Sequence, residues 1–422
     1  MREYSTFFGW RVAWAAFVVA IFGWGVGFYG PPVFLHAVVE RTGWSIPLVS
    51  SAVTVHFLCG AILVANSSLI YDRFGIAKVT FTGALLLALG VLGWSVAASP
   101  WQLFAAALLS GCSWVLLGAI AMNRIVSPWF EKKRPAALSL AYNRSSLGGV
   151  LFSPLWVALI AGLGFALGAG VVGVVMVLCI GFVCRRYLNL TPSDLGVRPD
   201  GALSDGSTPE LSDCEEPNYP GWRLYRDRSF LTLAAAMALG LFAQIGLIAH
   251  SFSILVEPLG AQWAGIAMGG ATLSAIVGRT CTGFLVRPGI DRRYFASLSY
   301  GIQICGSMIF IFSGGDSIPY LAIGVALFGW GIGNATSLPP LIGQQDFGAA
   351  DQQRVVALIV AYAQAAFALA PAVFGFVRSS GSAPDTFPLS IFMLAIACQI
   401  MAIVSLLAGR RRSSQPEADA AL

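Results

Sequence analysis

About twelve apolar stretches of 20 or more residues divide this chain. Each is long enough to cross a hydrocarbon core of ~30 Å as a helix. Their approximate limits are 10–36, 46–70, 77–98, 101–127, 135–160, 164–184, 230–257, 263–286, 294–314, 318–342, 354–378 and 386–408. Lipid offers backbone groups no water, so such stretches must satisfy their own hydrogen bonds, as helices do. Composition agrees: the chain is 57% hydrophobic and 11% charged, against roughly 25% charged residues in a soluble domain. The expectation is an all-α membrane protein with twelve transmembrane helices. The first stretch is too long, and too rich in Trp and Gly, for a signal peptide and lacks a small-residue cleavage site, so it is expected to be retained.

Basic residues orient the helices. With the N-terminus inside, 20 of the 25 Lys and Arg fall in cytoplasmic loops and tails, and only Arg41 and Arg378 fall outside. That bias satisfies the positive-inside rule. It predicts cytoplasmic N- and C-termini and a multi-pass protein of the inner or plasma membrane. The net charge of +5 is then a topology signal and implies no nucleic-acid partner. None of the eight cysteines forms a CxxC pair or adjoins a His, so neither a disulfide framework nor a metal site is expected.

Residues 188–228 interrupt the apolar pattern with Pro, Ser, Asp and Gly. They are expected to form a flexible cytoplasmic linker between an N-terminal six-helix bundle, 1–187, and a C-terminal one, 229–409. A disordered tail, 410–422, follows. The halves resemble each other. Arg134-Pro-Ala-Ala-Leu-Ser-Leu-Ala-Tyr142 aligns with Arg354-Val-Val-Ala-Leu-Ile-Val-Ala-Tyr362 at an offset of 220, and Arg73-Phe-Gly-Ile-Ala-Lys78 aligns with Arg287-Pro-Gly-Ile-Asp-Arg292 at 214. Nearly equal offsets indicate duplication of a six-helix unit, the plan of transporters whose site lies at the midplane between halves.

The run Asp72-Arg73-Phe-Gly-Ile-Ala-Lys78 resembles the loop signature of the major facilitator superfamily, and that resemblance covers essentially the whole chain. A narrower resemblance rests on Trp129-Phe-Glu-Lys-Lys-Arg-Pro-Ala-Ala137 with Gly148-Gly149, on Gly9-Trp10-Arg11-Val12, and on His250 with Pro258-Leu-Gly260. These are similar to motifs of the monocarboxylate transporter and oxalate:formate antiporter branch. The fold implied is two pseudo-symmetric six-helix bundles.

Arg279 is the residue most in need of explanation. It interrupts the otherwise apolar or small segment Ile266–Val286, where a cation costs several kcal/mol, by estimates from about 3 to more than 10. Apart from Glu257, no Asp or Glu lies within the apolar stretches. Cationic charge without buried anionic charge points to an anionic cargo. A guanidinium can take a carboxylate through two parallel hydrogen bonds; the other reading is a structural arginine bonded to helix carbonyls. The branch resemblance implies a substrate-binding arginine in the eighth helix, where Arg279 lies. Thr272, Ile276 and Gly283 share its face.

Arg144 lies near the midplane of the fifth stretch, where the family motif has a small residue. Two readings stand: a second cation for the cargo, or an arginine compensated by Asn143, Ser145 and Ser146. Gln364 occupies the repeat-equivalent position. Tyr142 and Tyr362 form another repeat-related pair deeper than an aromatic belt. Asn123 and Asn334 add polar groups, Asn334 within the glycine-rich run Gly329–Asn334, which permits bending or close packing. Arg124 is expected to snorkel to the headgroups. His250 is a candidate proton carrier or a structural histidine, and His56 has less support for either role.

Proton-coupled monocarboxylate carriers, which this chain resembles, carry an Asp one turn before that arginine; here the position holds Ala275. Asp72, Arg73 and Lys78, with Arg287 and Arg292 in the second copy, are expected to act at the inner gate. The functional expectation is a carrier for a small mono- or dicarboxylate working by alternating access, leaning toward anion exchange. Its partners are a small anionic substrate and the lipid bilayer; it is expected to be monomeric and to need no cofactor. An exporter of drugs or amphipathic metabolites is the rival transport reading, and a carrier-fold sensor the rival of another class. No nucleophile–base pair or phosphate loop suggests an enzyme.

Overall fold

Among the described residues, the apolar stretches are largely helical. The computed structural model describes residues 7–131, 133–134, 137–138, 146–201, 221–285, 290–315, 317–381 and 387–410. The helices are α1 (Phe8–Gly27), α2 (Gly30–Thr42), α3 (Ile46–Phe74), α4 (Ile76–Val96), α5 (Pro100–Trp114), α6 (Ala119–Val126), α7 (Leu147–Leu163) and α8 (Phe165–Val183). Then follow α9 (Arg228–Leu259), α10 (Ala261–Leu285), α11 (Arg292–Ser313), α12 (Ile318–Asp346), α13 (Ala349–Gly381) and α14 (Leu389–Ala408). Among the described residues, ten helical segments are long and apolar enough to cross a membrane, with α1–α2 and α5–α6 each counted as one. Two expected stretches fall outside that set. Helix α7 has 17 described residues, and α10 carries Arg279 among glycines and threonines.

Helices α1–α8 pack mainly on one another, as do α9–α14, and the principal contacts between the two groups are α3 on α13, α7 on α10 and α2 on α9. The first two pairs are images of each other under the internal repeat. The repeat matches 73–78 with 287–292, at the ends of α3 and α10, and 134–142 with 354–362, leading into α7 and lying within α13. The seam is therefore built twice from one pairing.

The first stretch is broken, and its sequence says why. Pro31 and Pro32 follow Gly30, so the Gly27 carbonyl, which would accept from residue 31 in a continuous helix, meets a nitrogen without hydrogen. The Tyr29 N–H donates to Trp24 O at 2.9 Å instead of to Gly25, which frees a second carbonyl. Both are served from neighbouring helices. His56 Nε2 lies 2.8 Å from Gly27 O, and Trp156 Nε1 donates to Gly25 O at 3.2 Å. A carbonyl only accepts, so His56 is protonated on Nε2. Its Nδ1 lies 2.8 Å from Ser110 Oγ, which also accepts from Trp94 Nε1 at 3.1 Å. His56 is thereby a structural histidine. The fourth stretch breaks similarly at Val115–Leu117, where Tyr71 donates its hydroxyl to Leu116 O at 2.8 Å.

The segment expected to be a flexible linker is held at both described ends. The Asp200 carboxylate accepts from the Glu131 and Lys133 N–H groups at 3.2 Å each, and its own N–H donates to Trp129 O at 2.9 Å. At the far end Leu224 is buried and Asp227 caps α9 by accepting from Phe230 N–H at 2.9 Å. Residues 202–220 lie outside the described residues, as does the expected tail beyond Arg410, which is itself tied to Asp291 at 2.9 Å.

Trp156→Phe keeps most of the buried ring and removes its N–H. Leaving the Gly25 carbonyl unpaired is expected to cost about 1–3 kcal/mol, seen as a lower Tm of the purified protein. An unchanged Tm contradicts this role.

Candidate functional site

Arg279 sits on the α10 face that meets α12, and glycines set how closely those helices approach. A Cβ on Gly333 would stand 2.3 Å from Ala275 O and 3.0 Å from Arg279 Cβ, so only glycine permits this contact. It brings Gly333 O within 3.1 Å of Arg279 Nε, which donates to it. One nitrogen is thus anchored, which fixes the plane of the guanidinium. Nη1 and Nη2 make no hydrogen bond among the described residues, and the side chain is half-buried. The glycine-rich run on α12 serves close packing, one of the two roles its composition allows.

Across the seam from Arg279 stands Tyr29, at the break between α1 and α2. Its ring and the Thr272 hydroxyl both close on Gly149, and its hydroxyl lies in the field of Arg279. Thr272 itself donates to Met268 O at 3.1 Å. Gly149 on α7 leaves room for the pair: a Cβ there would lie 2.6 Å from Tyr29 Cζ and 2.8 Å from Thr272 Oγ1. The glycine pair Gly148-Gly149 thus packs α7 against both α1 and α10. Tyr29 is the site residue that sequence reasoning missed. Its signal was available in the Gly30-Pro31-Pro32 run, which marks a helix break beside it.

The other expected residues are not all gathered here. Arg144, Tyr142 and Arg287 lie outside the described residues. Tyr362 is exposed on α13, on the side of Tyr225 in the segment leading into α9. Gln364 is half-buried on α13. Asn334 is buried and donates to Thr282 Oγ1 at 2.9 Å, tying α12 to α10. Asn123 is exposed and donates to Ala119 O, one turn back, at 3.0 Å. His250 is fully buried with Nε2 3.1 Å from Pro371 O, and its Nδ1 has no partner among the described residues.

The gate residues form ties within each helix group. Asp72 takes Arg124 through two bonds of 3.0 and 3.4 Å, so Arg124 pairs with a partly exposed carboxylate. Arg73 lies over the Phe74 ring at 5.5 Å, Lys78 is exposed, and Arg292 donates to Leu341 O at 2.8 Å. Glu257 is the one Asp or Glu within the expected apolar stretches, and further acids stand at helix ends beyond them. Helix α12 continues four residues past its expected end, to Asp346. There the carboxylate binds Arg293 Nη2 at 2.7 Å. Arg293 is nearly inaccessible and also donates to Ser229 Oγ at 2.7 Å and Leu406 O at 3.2 Å, joining α9, α11, α12 and α14. Sequence reasoning left Arg293 in a loop because the apolar pattern begins only after it. Arg279 differs from both ties: no carboxylate meets it among the described residues.

Comparison with known proteins gives the same picture at the level of family. The family model described as Major Facilitator Superfamily matches residues 12–371. The Aspyridones efflux protein apdF of Emericella nidulans is 34% identical over 152 residues, 36% of this chain and 30% of that protein. The Multidrug resistance protein MdtH of Cronobacter sakazakii is 28% identical over 229 residues, 53% of this chain and 52% of that one. The chain thus matches about a third to a half of the length of these curated relatives. The crystal structure of nucleoside transporter NupG superposes with a TM-score of 0.71 at 12% identity, covering 96% of this chain and 100% of that chain. At that identity the likeness speaks for the fold alone.

The two carboxylate ties differ in burial, and their cost of removal should differ likewise. Asp346→Asn strands a buried guanidinium and is expected to destabilise by about 3–5 kcal/mol. Asp72→Asn loosens an exposed pair and should cost less than about 1 kcal/mol. Equal losses of thermal stability contradict the assignment.

Proposed function

We propose that this chain, which belongs to the Major Facilitator Superfamily, carries a small organic anion across the inner or plasma membrane by alternating access. Twelve spans form two six-helix bundles with both termini cytoplasmic, and the cargo is a mono- or dicarboxylate bound between them. The observation that carries this reading is Arg279. Its Nε is fixed by Gly333 O, while Nη1 and Nη2 make no hydrogen bond among the described residues. A planar fork held by one edge, with its other edge open, matches the two oxygens of a carboxylate. Tyr29 and Thr272 meet beside Gly149 from the two helix groups. Each bundle contributes part of the site, as rocking of one bundle against the other requires.

Coupling is assigned to exchange. A buried carboxylate is the common proton carrier inside a membrane, and Ala275 occupies the turn beside Arg279. Asp346 is engaged by Arg293 at the end of its helix. The second reading, export of drugs or amphipathic metabolites, is favoured by the similarity to an efflux protein and a multidrug resistance protein.

Proteoliposomes test both points. Arg279→Lys keeps the charge and loses the planar fork, and is expected to lower carboxylate counterflow at least tenfold with expression unchanged. Full activity in that variant contradicts the clamp. Efflux of labelled acid should require an anion on the far side and ignore an imposed pH gradient. Acceleration by the gradient would assign proton coupling instead and turn attention to His250.

A further inference from the structure

Helices α3 and α13 meet across the seam in antiparallel register. Ser50 lies against Gly375, Thr54 against Ala372, and the Phe57 ring packs edge-on to Phe367 at 5.7 Å. One of these contacts is a hydrogen bond between the two helix groups: the Ala372 N–H donates to Thr54 Oγ1 at 3.0 Å. It falls directly after Pro371, inside α13. Proline has no N–H, so the Phe367 carbonyl lacks its usual donor one turn on, and the ladder is already open where the helix would bend. The Pro371 carbonyl meets α9 instead, 3.1 Å from His250 Nε2. Gly375 lets the helices close, since a Cβ there would stand 2.6 Å from Ser50 Oγ. Toward the same end His36 of α2 packs edge-on to Phe252 of α9 at 5.3 Å.

We propose that Thr54 and the Pro371 turn form a latch, which holds this end of the seam shut and lets go when the carrier opens there. The latch rests on the alternating-access reading above and is independent of the cargo; with both termini cytoplasmic, the end concerned is the outer one. Facing lipid, a bare N–H would have nothing to bond. At a seam, opening admits water, which takes up both the N–H and the hydroxyl. The net worth of the bond is then small, enough to bias the seam toward closure without fixing it. Thr54 and Ala372 belong to different helix groups, whereas His250 and Pro371 belong to the same one. Opening therefore breaks the first contact and keeps the second, so α13 holds to α9 while it leaves α3.

The test is hydrogen exchange, read by mass spectrometry on the full chain in lipid nanodiscs with no cargo added. Thr54→Val keeps the side-chain shape and removes the acceptor; Thr54→Ser keeps the acceptor. Thr54→Val is expected to speed exchange roughly two- to tenfold on both sides of the seam, in 46–57 of α3 and 367–378 of α13. The far ends of the same helices, 62–74 and 349–360, should not quicken, and Thr54→Ser should match the unaltered protein. Unchanged exchange in Thr54→Val, or the same quickening in Thr54→Ser, overturns the latch. So does quickening of 367–378 alone, which marks a local bond, or of both helix groups throughout, which marks a bond that holds the fold. If Thr54→Val does not yield folded protein, Gly375→Ala reads the same end, because its Cβ wedges against Ser50. Quickening of both segments supports the latch, and its absence overturns it. Either failure leaves the anion reading where it stands, since no cargo takes part.

Discussion

A polar group inside a membrane has no water to fall back on, and this fold is arranged around that constraint. Two helices break, each at a point where a neighbour supplies the missing partner. His56 and Trp156 serve the carbonyls freed by Pro31 and by the shifted Tyr29 N–H. Tyr71 serves the turn at Leu116. Charges obey the same rule. Arg293 is enclosed by Asp346, Ser229 and a helix carbonyl, and Arg124 is paired with the more exposed Asp72. Arg279 alone among these three arginines lacks a carboxylate, which is why the proposed function turns on it.

The site's geometry follows from close packing. Small residues let helix backbones approach, and that approach aims the functional side chains. Gly333 admits α10 against α12 and presents its carbonyl to Arg279. Gly149 admits α7 against α10 and leaves the space that Tyr29 and Thr272 share. Because α7 and α10 belong to different helix groups, a relative motion of those groups would alter the Tyr29 contact while leaving the Arg279 anchor in place. The anchor lies wholly within the second group; the phenol comes from the first. A ligand held by both would feel that motion directly.

Much of the architecture was legible in the sequence, because apolar length and period are properties of a single segment. The stretches, their order and the repeat that pairs α3 with α10 all followed from such local signals. Pairings between segments did not. Helical spacing put Thr272 on the face of Arg279, yet nothing in the spacing named Tyr29 as the residue opposite. Arg124 looked like a snorkelling arginine because Asp72, 52 positions away, is its neighbour only in space. Asp346 was missed for a different reason. Hydropathy fell near residue 342, but the helix continued because Arg293 offers that carboxylate a buried partner.

The account rests on one claim, that the open edge of the Arg279 guanidinium takes the carboxylate of the cargo. Co-crystallisation with 2-bromopropionate, located through the anomalous signal of bromine, tests it directly. The account predicts a bromine peak beside Arg279 at the α7–α10 seam, with the carboxylate oxygens on Nη1 and Nη2 and Gly333 O still on Nε. An acid bound elsewhere, with Nη1 and Nη2 taken up by groups of the protein, would contradict it.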